Sequence, residues 1–99
     1  MMAKDESIIR LLDDLRPESH GWVVVDYWDG DRCAVGIGSR REPERLVYIS
    51  THRKDAGRFY FEAEAPDSGM EVGYRVVARG EDVSFEELLD VLVAHLTGE

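Results

Sequence analysis

Three aspartates in the segment WVVVDYWDGDRC, residues 22–33, are the first side chains whose types and spacing could do chemistry. Closely spaced carboxylates bind Ca²⁺ when alternating acids are followed by a glycine and, at a fixed distance, by a glutamate, and that spacing is absent here. Asp29-Gly30 instead lies between two apolar runs, and Asp-Gly is a preferred pair in two-residue β-hairpin turns. We therefore interpret these acids as the tip of a hairpin and expect the chain to hold no metal ion and no cofactor.

His52, in the segment THRKDAG, is a second candidate, because a histidine beside an acid can act as a general base. In a meander this turn lies at the same end of the sheet as Asp26 and Asp31. Three interpretations are open: a catalytic His–Asp dyad with His52 as the base, an anion-binding site, or simple balance between opposite charges. Catalysis also needs a nucleophile and a cleft, and no Ser-His-Asp or Cys-His arrangement stands out by spacing. We favour charge balance, expect no enzymatic activity, and expect His95 to be a partly buried histidine with a hydrogen-bond partner rather than a ligand.

The element that precedes these candidates is an amphipathic helix near the N-terminus. Ile8, Leu11, Leu12 and Leu15 recur at i, i+3, i+4 and i+7, which places them on one helical face. Pro17 is expected to end this helix, because proline cannot continue the helical hydrogen bonding.

A second helix is predicted in the segment VSFEELLDVLVAHLTGE. Ser84 and Glu87 have the spacing of a capping box, in which the two residues satisfy each other's backbone N–H groups. Its predicted core face consists of Phe85, Leu88, Leu89, Leu92 and Leu96.

Between the helices the apolar period changes to two, which is typical of β-strands. GWVVVDYW and RCAVGIG form the first predicted hairpin, in which Val24 faces Val35. RLVYIS, RFYFEAEA and EVGYRVVAR follow, and a four-residue PDSG loop places Phe61 opposite Tyr74. The order α-β-β-β-β-β-α predicts one two-layer α+β domain over residues 1–99, a five-stranded, mainly antiparallel meander flanked by an N-terminal and a C-terminal helix.

The last predicted hairpin has one polar face. The side chains that alternate with its apolar stripe are Tyr60, Glu62 and Glu64, opposite Arg75, Gly73 and Glu71. Like carboxylates facing each other can raise a pKa for acid–base chemistry or hold a cation. At an exposed hairpin we expect solvation to relieve the repulsion instead.

The charge of the chain restricts its partners. With 21 acidic and 12 basic residues the net charge is −9, which opposes binding to nucleic acid and favours a basic protein. Residues 80–99 carry six acids and no Lys or Arg. No apolar run is long enough to span a membrane and no signal peptide is visible, so we expect a cytoplasmic protein that does not bind membranes.

The first predicted strand is apolar on both faces, although a meander places it at an edge of the sheet. Either the strand order is shuffled, or the exposed side pairs with a partner or a second copy of the chain, or its aliphatic side chains are ordinary surface residues. A homodimeric structural or regulatory module that pairs through residues 22–28 is therefore one hypothesis for the function.

The order of the segments also resembles a known family. LVYIS followed by RFYFEAE, a turn, VGYRVV, a short acidic loop and VSFEELLDVLVAHLTGE is similar to immunity proteins of bacterial polymorphic toxin systems, in the group associated with deaminase toxins. The resemblance implies an inhibitor without chemistry of its own, which binds a cognate toxin and blocks its active site or the approach to it. Toxins that act on nucleic acid tend to be basic around their sites, which agrees in sign with an acidic inhibitor.

For such an inhibitor we expect the polar sheet face and the hairpin tip to bind the partner, with aromatic side chains as anchors and acids that steer association. The predicted binding residues are Tyr27, Asp29, Asp31, Tyr60, Glu62, Glu64 and Arg75. The acidic exterior of the second helix, at Glu86 and Asp90, is the rival surface.

Overall fold

The computed structural model describes residues 4–25, 30–42, 44–66 and 73–97. The first helix, α1, runs over Glu6–Leu15 and is followed by a 3₁₀ turn at Pro17–His20. The strands are β1 (Trp22–Val25), β2 (Ala34–Ser39), β3 (Leu46–Ser50), β4 (Arg58–Pro66) and β5 (Tyr74–Ser84). Helix α2 (Phe85–Leu92) continues into a π-helical turn at Val93–Thr97.

The five strands form one antiparallel sheet in the order β1-β2-β3-β4-β5. In sequence, helix α1 precedes the five strands and helix α2 follows them. The predicted α+β meander is therefore confirmed. Each strand pairs with its neighbour in sequence, so β1 and β5 are the two edges of the sheet. The first strand lies at an edge, as a strict meander requires.

Both helices begin where the sequence supplies a cap. The Asp5 carboxylate accepts the backbone N–H of Ser7 at 3.0 Å and begins α1. At α2 the Ser84 hydroxyl accepts the Glu87 N–H at 3.1 Å and the Glu87 carboxylate accepts the Ser84 N–H at 2.9 Å, which confirms the predicted capping box. Helix α1 ends at Leu15, as Pro17 predicts.

The core lies between the two helices and one face of the sheet. The helices contribute Ile8, Leu11 and Leu15 from α1 and Leu88 and Leu92 from α2, all buried. The sheet contributes alternate residues of its central strands: Val35, Ile37, Val47, Ile49, Phe59, Phe61 and Ala63. The other face of the sheet, which we call the open face, carries the residues between them.

The apolar character of β1 on both sides has a local explanation. Trp22 is 1% exposed, packs into the core and donates its indole N–H to the Thr97 hydroxyl at 2.9 Å. On the open face Val23 and Val25 are half-buried. A Cβ on Gly38 of β2 would lie 3.6 Å from a methyl carbon of Val23 and 3.3 Å from a methyl carbon of Val25, so the two valines pack over that glycine.

The register of the first hairpin differs from the prediction by two residues, because Val24 lies opposite Ile37 and not opposite Val35. The reason is a turn before β2. The Asp31 carboxylate accepts the Cys33 N–H at 3.0 Å and the Asp31 carbonyl accepts the Ala34 N–H at 3.3 Å, so pairing begins only at Ala34. A shift of two residues keeps every side chain on its predicted face.

The register of the last hairpin differs more. Phe61 lies opposite Gly80 and not opposite Tyr74, and β5 extends to Ser84, so the predicted acidic loop before α2 is strand. A Cβ on Gly80 would stand 2.4 Å from Cε2 of Phe61, so only glycine fits beneath that ring. Two bulges in β5 absorb one extra residue each, one of them Val77.

The Phe61–Gly80 contact yields a prediction about stability. Gly80→Ala should lower the free energy of unfolding by about 1–3 kcal/mol, the usual cost of overpacking a core, measured by urea denaturation. Gly30→Ala is the matched control, because a Cβ there would meet no atom within 4 Å. The control should change stability by less than about 0.5 kcal/mol. Equal stability of the two variants would contradict this register.

Candidate functional site

The β4 half of the predicted polar face, Tyr60, Glu62 and Glu64, lies on the open face of the sheet. Cross-strand pairing places Tyr48 of β3 opposite Glu62 of β4, and Glu62 opposite Arg79 of β5. Glu64 lies opposite Leu46 on one side and Val76 on the other. We call the following residues the open-face patch: Leu46, Tyr48, Tyr60, Glu62, Glu64, Tyr74, Val76 and Arg79.

Tyrosine and carboxylate side chains form the centre of the patch. The rings of Tyr48 and Tyr60 meet edge to face, with centroids 6.2 Å apart. The Tyr60 hydroxyl donates a hydrogen bond to the Glu62 carboxylate. Burial raises the pKa of both tyrosines, and for Tyr60 the hydrogen bond to Glu62 raises the pKa further. At neutral pH both rings are therefore neutral hydrogen-bonding groups on a half-buried surface.

Glu64 has a different environment from Glu62. Burial raises the pKa of the Glu64 carboxyl, and the negative charge of Glu62 adds to the effect. Both carboxylates are half-buried, but the two residues beside Glu64 across the sheet are apolar. The ionised form of Glu64 is thus destabilised by its position in the fold.

Arg75 is not where the sequence placed it. The bulge at Val77 shifts the alternation of β5, so that Arg75 lies opposite Ala65, on the side of the sheet that the helices cover. Arg79 takes the position opposite Glu62, and its guanidinium also interacts with the Tyr60 hydroxyl. The predicted pairing of Glu64 with Glu71 is replaced by a pairing with Val76.

Of the three predicted residues near the first hairpin, Tyr27 and Asp29 lie outside the described residues. Asp31 is exposed and belongs to the turn before β2. Its backbone carbonyl accepts a hydrogen bond from Lys4 Nζ at 2.8 Å. Asp31 therefore has a structural role in that turn.

The two histidines considered for chemistry differ in environment. His52 is exposed, and its backbone N–H donates to the Ser50 hydroxyl at 3.1 Å. His95 is half-buried, and its Nε2–H donates to the backbone carbonyl of Glu64 at 2.7 Å, which confirms the prediction of a partnered histidine. Burial lowers the pKa of His95, so it is neutral at pH 7.

A cleft of about 410 Å³ lies on the helix side of the sheet, next to the first turn of α1 and the β3–β4 turn. The Ser7 hydroxyl in its wall donates to the Asp5 carboxylate and lies 2.7 Å from the Thr51 hydroxyl. No histidine is among the described residues that line it. Asp5 and Ser7 belong to the N-terminal cap of α1.

The described part of the chain contains no group of three or more His, Cys, Asp or Glu side chains with the geometry to hold a metal ion. Within the same ranges, no helix combines the length and the apolar character needed to cross a membrane. Glu86 and Asp90, the rival surface, are exposed on α2.

Sequence reasoning missed several residues of the patch. Tyr48 could have been predicted, because it alternates with the buried Val47 and Ile49 in LVYIS and must therefore lie on the open face. The positions of Val76 and Arg79 could not have been predicted, because they depend on bulges that no local sequence pattern indicates. Comparison with known proteins adds no assignment, since no family model, no curated protein and no solved structure matches the chain.

The position of Glu64 yields a prediction about pH. Because the pKa of Glu64 is raised, its protonated carboxyl stabilises the fold relative to the ionised form. This contribution to stability is fully present below the ordinary pKa of 4.5 and is lost as pH rises through the raised pKa. Glu64→Gln should therefore gain stability relative to the unmodified protein as pH rises from about 4 to about 7 in urea denaturation. Glu18→Gln, at an exposed position, should show no comparable gain.

Proposed function

We propose that this chain is a non-enzymatic immunity protein, which binds and inhibits a cognate bacterial toxin through the open-face patch. The observation that carries the proposal is the patch itself: two tyrosine rings and two half-buried carboxylates on a sheet face opposite the helices. Tyrosines act as anchors in protein interfaces because they bury a large area at a small cost in conformational entropy.

The charge of the chain supports a basic partner. A net charge of −9 attracts a positively charged protein at long range and speeds its association. A toxin that acts on nucleic acid needs basic residues to bind phosphates, and an acidic inhibitor can occupy the same path. The resemblance to immunity proteins of polymorphic toxin systems supports the same function, in the cytoplasm of a bacterium.

A charge-reversal experiment tests which surface binds. The double variant Glu62→Lys with Glu64→Lys should slow association with the basic partner by at least about tenfold at low salt. Glu86→Lys with Asp90→Lys is the matched control, because each double variant changes the net charge from −9 by four units to −5. The association rate is measured by surface plasmon resonance at two salt concentrations.

The partner for this experiment is the protein encoded next to this chain's gene, or the protein that the tagged chain captures from a lysate of its source. The open-face variant should also fail to protect cells that express the toxin, whereas the α2 variant should protect them. If only the α2 variant slows association, the rival surface binds and the open face is excluded.

A homodimer that pairs through residues 22–28 is the second candidate. One observation favours it: β1 is an edge strand, and its Val24 is 38% exposed. Exposed apolar edge strands are templates for pairing with another chain.

The dimer has its own test in sedimentation equilibrium. If β1 is the interface, the unmodified protein should sediment as a dimer at all salt concentrations and Val24→Lys should sediment as a monomer. Val77→Lys, at a similarly exposed valine on the other edge strand β5, is the control and should not change the mass. A monomeric unmodified protein excludes this candidate.

A further inference from the structure

Glu64 differs from Glu62 in what surrounds its carboxylate. Glu62 accepts a hydrogen bond from Tyr60 and lies opposite Arg79. Among the described residues, no side chain donates a hydrogen bond to the Glu64 carboxylate or forms an ion pair with it. The segments outside the described ranges contain no Lys, Arg or His, so no side chain there supplies a positive charge.

The surroundings of Glu64 are apolar and partly exposed. Val76, its partner in β5, is 47% exposed. Tyr74 lies two residues earlier on the same strand face, opposite Pro66, and is 41% exposed. On the other side Leu46 is 7% exposed and forms an apolar wall. A half-buried carboxylate therefore adjoins an exposed valine and an exposed aromatic ring.

This combination fits one kind of side chain in particular. An arginine has an aliphatic stem that packs on apolar surface, and its weakly hydrated guanidinium stacks on an aromatic ring and binds a carboxylate through two parallel hydrogen bonds. A lysine ammonium is strongly hydrated and gains less from the same surroundings. Val76 and Tyr74 lie on the edge strand β5 and are accessible, so such a stem can pack on them.

We propose that Glu64, Val76 and Tyr74 form a binding site for an arginine side chain of the partner protein. The inference rests on the proposed function, in that the arginine belongs to the protein that the open-face patch binds. The guanidinium pairs with the Glu64 carboxylate and stacks on the Tyr74 ring, while its stem lies along Val76. The arginine supplies a positive charge, which no side chain of the described residues places at Glu64.

The site can be tested without the partner. N-acetyl-L-arginine amide is the probe, and the side-chain carboxyl carbon of each glutamate is followed by NMR over a pH titration. The probe should lower the pKa of Glu64, because an adjacent positive charge favours the ionised form, and should shift the ring resonances of Tyr74. N-acetyl-citrulline amide, a neutral molecule of the same shape, should do neither.

Three results would overturn the site. One is a pKa of Glu64 that does not fall at any probe concentration up to its solubility limit. Another is an equal fall at the exposed Glu18, which would show unspecific screening. The third is an equal effect of N-acetyl-L-lysine amide, which would show a general cation site. Tyr74→Leu should weaken the response to the arginine probe and keep the apolar surface.

The partner separates this inference from the proposed function. Glu64→Gln should raise the dissociation rate of the captured basic partner at least about tenfold, whereas Glu18→Gln should leave that rate unchanged. If a basic toxin binds and Glu64→Gln dissociates no faster, the arginine site is wrong and the function stands. If no basic partner is found, the function fails, and the probe titration still decides the site.

Discussion

The packing of the Phe61 ring over Gly80 is the contact on which the composition of the open-face patch depends. Because a side chain at residue 80 would overlap that ring, the two residues fix where β5 lies along β4. The bulge at Val77 then sets which side chains of β5 reach the open face. The core contact on the helix side of the sheet thereby places Glu62 beside Arg79, and the bulge places Glu64 beside Val76.

The elements that the sequence predicted well are those whose signals are local. Ser84 and Glu87 specify the start of α2 within four residues, and Pro17 specifies the end of α1. The alternation of apolar residues gives the strands and separates their faces, and the apolar stripe of β4 that alternates with Tyr60, Glu62 and Glu64 is buried at Phe59, Phe61 and Ala63. The meander follows from short connections between successive strands.

The pairing of the last hairpin was predicted wrongly because its signals are not local. The PDSG segment suggested a short loop, and a short loop with regular pairing would have put Phe61 opposite Tyr74. The actual register depends on the close approach of Phe61 to Gly80, between residues 19 positions apart, and on two bulges. For the site, Tyr60, Glu62 and Glu64 could be placed on one face from β4 alone, whereas Arg79 and Val76 could not.

The fold affects the ionisation of its acidic residues in two opposite ways. Hydrogen bonds to the α1 and α2 termini lower the pKa values of Asp5 and Glu87, so these carboxylates stabilise the fold in their ionised forms. Glu64 is ionised at a cost, because burial and the charge of Glu62 both raise its pKa. An uncharged residue at position 64 would serve the fold better, since the carboxylate there receives no compensation from the described residues. A positive charge next to Glu64 would favour the ionised form and so offset part of that cost.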